Sequence, residues 1–162
     1  MSYYERTYGE INDLDELFKE IKNILFLNKL NINNYIFYDF GSGYGKIVDF
    51  FSKYCKKSIG IEIDKIRYNE SIKFISENIN FYNENFFDTI IQNSCIILIN
   101  NLCLGDGTNK RLSFKLLNEC KEKDIIILTK KMLFLEDHFL YFKLIKCSWG
   151  YSELYFYKLK VI

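Results

Sequence analysis

The sequence predicts an α/β fold: a doubly wound, mostly parallel sheet of seven strands that ends in an antiparallel hairpin. Three observations predict it. Short apolar runs of strand length alternate with stretches whose apolar residues recur at helical spacing. A glycine-rich turn, Gly41-Ser42-Gly43-Tyr44-Gly45, joins the first such run to a helix. The last two runs follow each other with only Ser148-Trp149-Gly150 and no helix between them.

Taken in order, Ile11, Leu14, Phe18, Ile21 and Leu25 place a first helix over about 13–28, with Asn12 and Asp13 as candidate caps. Residues 31–34 break that pattern, and 35–40 read as a short buried strand that delivers Asp39 at its carboxyl end. The glycine turn opens a second helix over about 46–56, and 58–63 alternate as a strand ending in Glu62 and Asp64. Ile66, Ser71, Phe74 and Ile75 mark a third helix, and 79–83 a third strand. Residues 95–100 are a continuous apolar run of the kind buried on both faces of a sheet. A helix over 108–120 with Thr108 as its cap, a fifth strand over 124–129, and strands over 139–147 and 153–161 complete the series.

The chain reads as a single domain over 1–162, without linker or repeat, long enough to bury roughly two thirds of its unfolded surface. A hydrophobic content of 49%, a charged content of 27% and a net charge of +1 exclude a disordered tail and a strongly basic nucleic-acid binder. No strong DNA binding is expected. The cysteines Cys55, Cys95, Cys103, Cys120 and Cys147 show no Cys-x-x-Cys spacing, so no zinc site or disulfide framework, and no metal, is expected. No apolar run approaches the roughly 18 residues of a membrane span, which points to an intracellular place and no membrane partner. Abundant Ile, Asn, Lys, Phe and Tyr, the residues of A/T-rich codons, point to a low-GC source such as a large DNA virus or a parasite. His138 and the Lys56-Lys57 and Lys130-Lys131 pairs read as surface or turn residues, the lysines as solvated edges.

The glycine turn does not fit two familiar phosphate loops. A Walker loop needs four residues between its glycine and Gly-Lys, then Ser or Thr; here there are three, and Ile47 follows Lys46. The dinucleotide pattern Gly-x-Gly-x-x-Gly fails because the third glycine arrives one residue early. What remains, Asp39-x-Gly41-Ser42-Gly43-x-Gly45, resembles motif I of class I S-adenosylmethionine (SAM) methyltransferases, whose Rossmann-like fold agrees with the element order. That resemblance implies glycines that let the backbone approach the cofactor, Asp39 toward its amino acid end, and Glu62 at the next strand end for the ribose hydroxyls. Asn85 and Phe86 follow the third strand, where Phe86 would stack on adenine and Asn85 would meet its amine; the other reading is a surface amide beside a core Phe.

Four separated places together resemble the DOT-type (disruptor of telomeric silencing) lysine methyltransferases, which modify the globular core of a histone. Thr7-Tyr8-Gly9-Glu10 is similar to that family's Tyr-Gly-Glu loop, which folds over SAM, so 1–12 would form a covering loop. Motif I is the second place, with Lys46 where the family often has Gln. Ile99-Asn100-Asn101-Leu102-Cys103-Leu104-Gly105 resembles the family's Val-Asn-Asn-Phe-Ala-Phe-Gly. Cys147-Ser148-Trp149 with Leu154-Tyr155-Phe156 resembles its Val-Ser-Trp and Ser-Tyr-Tyr hairpin.

The resemblance implies SAM as cofactor and methyl transfer to a protein lysine, with a histone or nucleosome as partner and the nucleus or cytoplasm as location. Tyr8, Gly9, Glu10, Asp39, Gly41, Ser42, Gly43, Gly45, Glu62, Asn85, Phe86 and Asn100 would hold the cofactor. Asn100 would line the mouth of the acceptor channel near the methyl group, Tyr155 would pack along it, and Trp149 would form its wall. Packing alone is the other reading of Trp149 and Tyr155. The sequence departs from the family in carrying only the catalytic core, with Asn85 in place of an acid and Leu102 and Leu104 in place of aromatics. A methyltransferase of the same fold acting on RNA or a small molecule, and a non-catalytic binding subunit, are the alternatives. Methylation of DNA amino groups is disfavoured, because a chain without proline cannot form the Asn/Asp-Pro-Pro-aromatic turn.

Overall fold

The structure, a computed structural model, describes residues 10–120 and 122–159. Strands β1 (Ile36–Phe40), β2 (Lys57–Ile61), β3 (Ile79–Tyr82), β4 (Cys95–Ile99), β5 (Ile125–Thr129), β6 (Phe139–Cys147) and β7 (Gly150–Leu159) form one sheet in the order β3-β2-β1-β4-β5-β7-β6. The first five run parallel, and β7 enters antiparallel between β5 and β6. Helices α1 (Leu14–Leu27), α2 (Lys46–Ser52), α3 (Lys65–Ser71) and α4 (Asp106–Glu119) supply the layers and crossovers.

Every residue of β1, β4 and β5 is buried, because helices cover both faces of the central sheet. Alternation of side chains divides the core in two. Leu17, Ile21 and Leu25 of α1 and Phe51 of α2 pack on Phe37, Ile96, Leu98, Ile126 and Leu128. Leu112 and Leu116 of α4 pack on the opposite face, on Tyr38, Phe40, Ile97, Ile99, Ile127 and Tyr157. No helix among the described residues is long and apolar enough to cross a membrane.

Several boundaries differ from the sequence expectation. Strand β2 stops at Ile61 rather than 63, and α3 stops at Ser71, before a 3₁₀ turn over Ile72–Phe74. Three further shifts have a visible cause. Helix α2 ends at Ser52, short of 56: the amide of Tyr54 reaches back three residues to Phe51, and that of Lys56 bonds Tyr35 as the chain turns into β2. Helix α4 starts before Thr108, with Gly105 at its N-cap, because the Asn109 amide bonds the Gly105 carbonyl and its side chain bonds Leu104. Strand β7 begins at Gly150, ahead of 153, since Cys147 pairs directly with Gly150 across a two-residue turn. The side chain of Asp13 caps α1 by accepting from the Glu16 amide at 3.0 Å.

Candidate functional site

The sheet order reverses direction between β1 and β4, and in open α/β sheets the crevice at that point, at the carboxyl ends of the strands, is where ligands bind. A cavity of about 420 Å³ opens there, lined by Asp39, Gly41, Ser42 and Gly43 from the β1 end, Glu62 after β2, Asn100 after β4 and Lys130 after β5. Glu10 closes one side. It is held because the neighbouring Ile11 bridges Cys147 and the Ser148 amide bonds the Glu10 carbonyl at 2.9 Å, laying this segment against the end of β6.

The glycines divide into two kinds. Gly41 and Gly43 have positive φ, +85° and +54°, and a Cβ on either would meet nothing within 4 Å. Their open side is the floor of the cavity. Gly45 also has positive φ, but a Cβ there would lie 2.7 Å from the Phe81 ring, so this glycine lets α2 pack on β3 and does not line the cavity.

Glu62 is buried, and its two carboxylate oxygens accept from the amides of Gly43 at 2.7 Å and Asp64 at 2.8 Å. Each oxygen keeps an acceptor position for a further donor. Asp39 is 4% exposed, and its carboxylate accepts no hydrogen bond from any described residue. Burial, followed by the charges of Glu62 and Glu10, pushes its carboxyl up to about 8. The Ser42 hydroxyl, buried beside it, has no partner among the described residues. Three acids and an orphaned hydroxyl around an open backbone loop suit a ligand that carries a cation and vicinal hydroxyls.

The adjacent asparagines have opposite orientations, as neighbours leaving a strand must. Asn100 is exposed to the cavity, whereas Asn101 is fully buried. The Asn101 side-chain oxygen accepts from the backbone amides of Lys130 at 2.9 Å and Lys131 at 2.8 Å, and its side-chain nitrogen donates to Asn109 Oδ1 and to the Lys131 carbonyl. This clamp corrects the reading of Lys130-Lys131 as a solvated edge. Lys130 is 3% exposed, with its ammonium donating to Cys147 Sγ, and the Lys131 ammonium bonds the Leu104 carbonyl at 3.0 Å. Neither lysine was legible as a site residue; the one signal was the paired asparagine at a strand end.

The other residues singled out in the sequence stand apart. Tyr8 and Gly9 lie outside the described residues. Phe86 stacks on Phe40 with ring centroids 5.3 Å apart, on the sheet face covered by α4, and the Asn85 side chain accepts from the Phe87 amide at 3.0 Å. Neither lines the cavity. Tyr155 pairs with Thr129 and packs on the same α4 face, its hydroxyl donating to Glu153, because alternation directs Leu128 and Lys130 to the opposite side. Trp149 sits half-exposed at the hairpin turn.

Solved structures of low sequence identity share this architecture. Magnesium protoporphyrin IX methyltransferase from Synechocystis with bound SAM superposes with a TM-score of 0.67 at 10% identity, over 94% of this chain and 86% of that one. An RNA methyltransferase from Salinibacter ruber in complex with S-adenosylhomocysteine (SAH) gives 0.59 at 17% identity, over 87% and 90%. TrmK from M. capricolum with SAH gives 0.60 at 16%, over 86% and 68%. The fold is that of the class I methyltransferases. In sequence, the chain is 31% identical over 152 aligned residues to the histone-lysine N-methyltransferase, H3 lysine-79 specific, of Caenorhabditis elegans. That match covers 81% of this chain but only 15% of the length of the nematode protein. No family model matches the chain.

Proposed function

We propose that this chain transfers the methyl group of SAM to a lysine side chain of a protein, with a histone the first acceptor to test. The observation that carries the cofactor is the convergence of Asp39, Glu62 and the open faces of Gly41 and Gly43 on one cavity. The residues fit the group. Asp39, buried without a partner among the described residues, is stabilised by the α-ammonium of the methionine moiety. Glu62 offers its remaining acceptor positions to the ribose hydroxyls, and Ser42 gains the partner it lacks. When bound, SAM supplies an electrophilic methyl on a sulfonium.

The acceptor class rests on the resemblance to the histone-lysine enzyme, 31% identical over 152 residues, and on the Asn100-Asn101 motif of the sequence. The chain's own tasks are then to align the amine and to exclude water. Leu98, Leu104 and Ile11 give the cavity apolar walls, and the Asn100 amide stands at the end of β4 to orient the incoming nitrogen. An ammonium has no lone pair, so the lysine reacts as the neutral amine and its proton leaves to solvent. No strong general base is required.

The test is transfer of labelled methyl from SAM to nucleosomes, free histones, lysate proteins and transfer RNA, with mass spectrometry of the modified residues. Methyl-lysine on a protein supports the reading. Label confined to RNA or to small molecules would overturn it.

A further inference from the structure

The proposed function gives no role to Glu10, Arg67 or Lys130, the remaining charged groups of the cavity. Glu62, Asp39, Asn100 and Lys130 stand at the ends of β2, β1, β4 and β5, neighbouring strands in that order. With strands roughly 4.8 Å apart, the row spans about 14 Å. Acids occupy one end and a lysine the other. If the acidic end holds the ammonium and ribose of the cofactor, the Lys130 end beside Asn100 is where the acceptor enters; the inference rests on that reading of the site.

Lys130 is 3% exposed and meets a thiol, Cys147 of β6, rather than a carboxylate. The remaining titratable groups of the cavity are Asp39, Glu62, Tyr44, Cys103, Glu10 and Arg67. Asp39 and Glu62 belong to the β1–β2 end, and Glu10 lies on the segment laid against Cys147, with its charge acting on Asp39. A buried ammonium is a compact point charge, and a second cation brought beside it is disfavoured.

We propose that Lys130 excludes positive charge from the acceptor end of the cavity, so that the substrate lysine is taken up as its neutral, nucleophilic amine. Lys130 is thus a specificity-determining residue for the transfer.

Sinefungin, an analogue of SAH in which a carbon bearing an amine replaces the sulfur, tests this without turnover, because its amine occupies the point where the methyl is transferred. The ratio of sinefungin to SAH affinity, measured by calorimetry, cancels changes common to both ligands, including titration of Asp39. In the wild-type protein the ratio is expected to rise between pH 6.5 and 9 as the analogue loses its proton. In Lys130→Met the ratio at pH 7 is expected to rise roughly tenfold, the equivalent of about one pKa unit, and to lose its pH dependence. Lys130→Arg keeps the wild-type ratio. A wild-type ratio flat with pH, or a Lys130→Met ratio equal to the wild type's while SAH still binds, would overturn the inference and leave the cofactor site standing. Failure of the wild-type protein to bind SAH would overturn both.

Discussion

The Glu62 carboxylate accepts the Gly43 amide at 2.7 Å, tying the loop after β1 to the end of β2. Its other oxygen takes the Asp64 amide at 2.8 Å, at the cap of α3. One side chain therefore shapes the floor of the cavity and stands ready for a diol. Hydrogen bonds to a charged group contribute about 1.5–3 kcal/mol each. Glu62→Ala is expected to weaken SAH binding by tenfold or more and to lower the melting temperature, with Glu62→Gln intermediate. Calorimetry and thermal denaturation measure both; SAH affinity unchanged in Glu62→Ala would remove Glu62 from the site.

Asp39 makes the empty protein sensitive to pH. Its carboxyl stays neutral in the folded chain up to about 8, while in the unfolded chain it ionises near pH 4. Its contribution to stability is full below about pH 4 and is lost as the pH rises toward 8. The melting temperature of wild type relative to Asp39→Asn is expected to fall across that window. SAH affinity should move the other way, rising with pH, since holding the ligand's ammonium requires the ionised carboxylate. An affinity that falls with pH in this range would count against Asp39 as the partner of that ammonium.

The two adjacent asparagines should separate cleanly. Asn100→Ala is expected to keep SAH affinity and to lose transfer by about a hundredfold, a difference of about 2.7 kcal/mol in transition-state stabilisation. Asn101→Ala should instead unfold more readily, by about 2–3 kcal/mol, because the buried amide of Lys130 and the part-buried amide of Lys131 lose their acceptor. Urea denaturation and steady-state kinetics on the two variants check this, and full turnover in Asn100→Ala would contradict its role.

The parts of the site that were legible in sequence are local. An apolar run, a cluster of glycines and an acid at the next strand end are a few residues each, so Asp39, Gly41, Gly43 and Glu62 stand out in the sequence, and all four line the cavity. The strand and helix order was legible for the same reason. What was hidden depends on partners distant in the chain. Gly45 differs from Gly41 only through the Phe81 ring beneath it, and Phe86 faces the core because Phe40 offers it a ring to stack on. Lys130 reads as a surface residue until Asn101 turns the chain inward and Cys147 arrives from β6.

The most direct measurement is a calorimetric titration of SAH into the wild-type protein and into Gly43→Arg. A Cβ at Gly43 meets nothing within 4 Å, so the variant should fold, with about 1–2 kcal/mol lost to the positive φ, while its side chain fills the cavity floor. Saturable binding to the wild-type protein and none to the folded variant is the expected result. No binding to the wild-type protein, or equal binding to both, would contradict the assignment of this cavity to SAM.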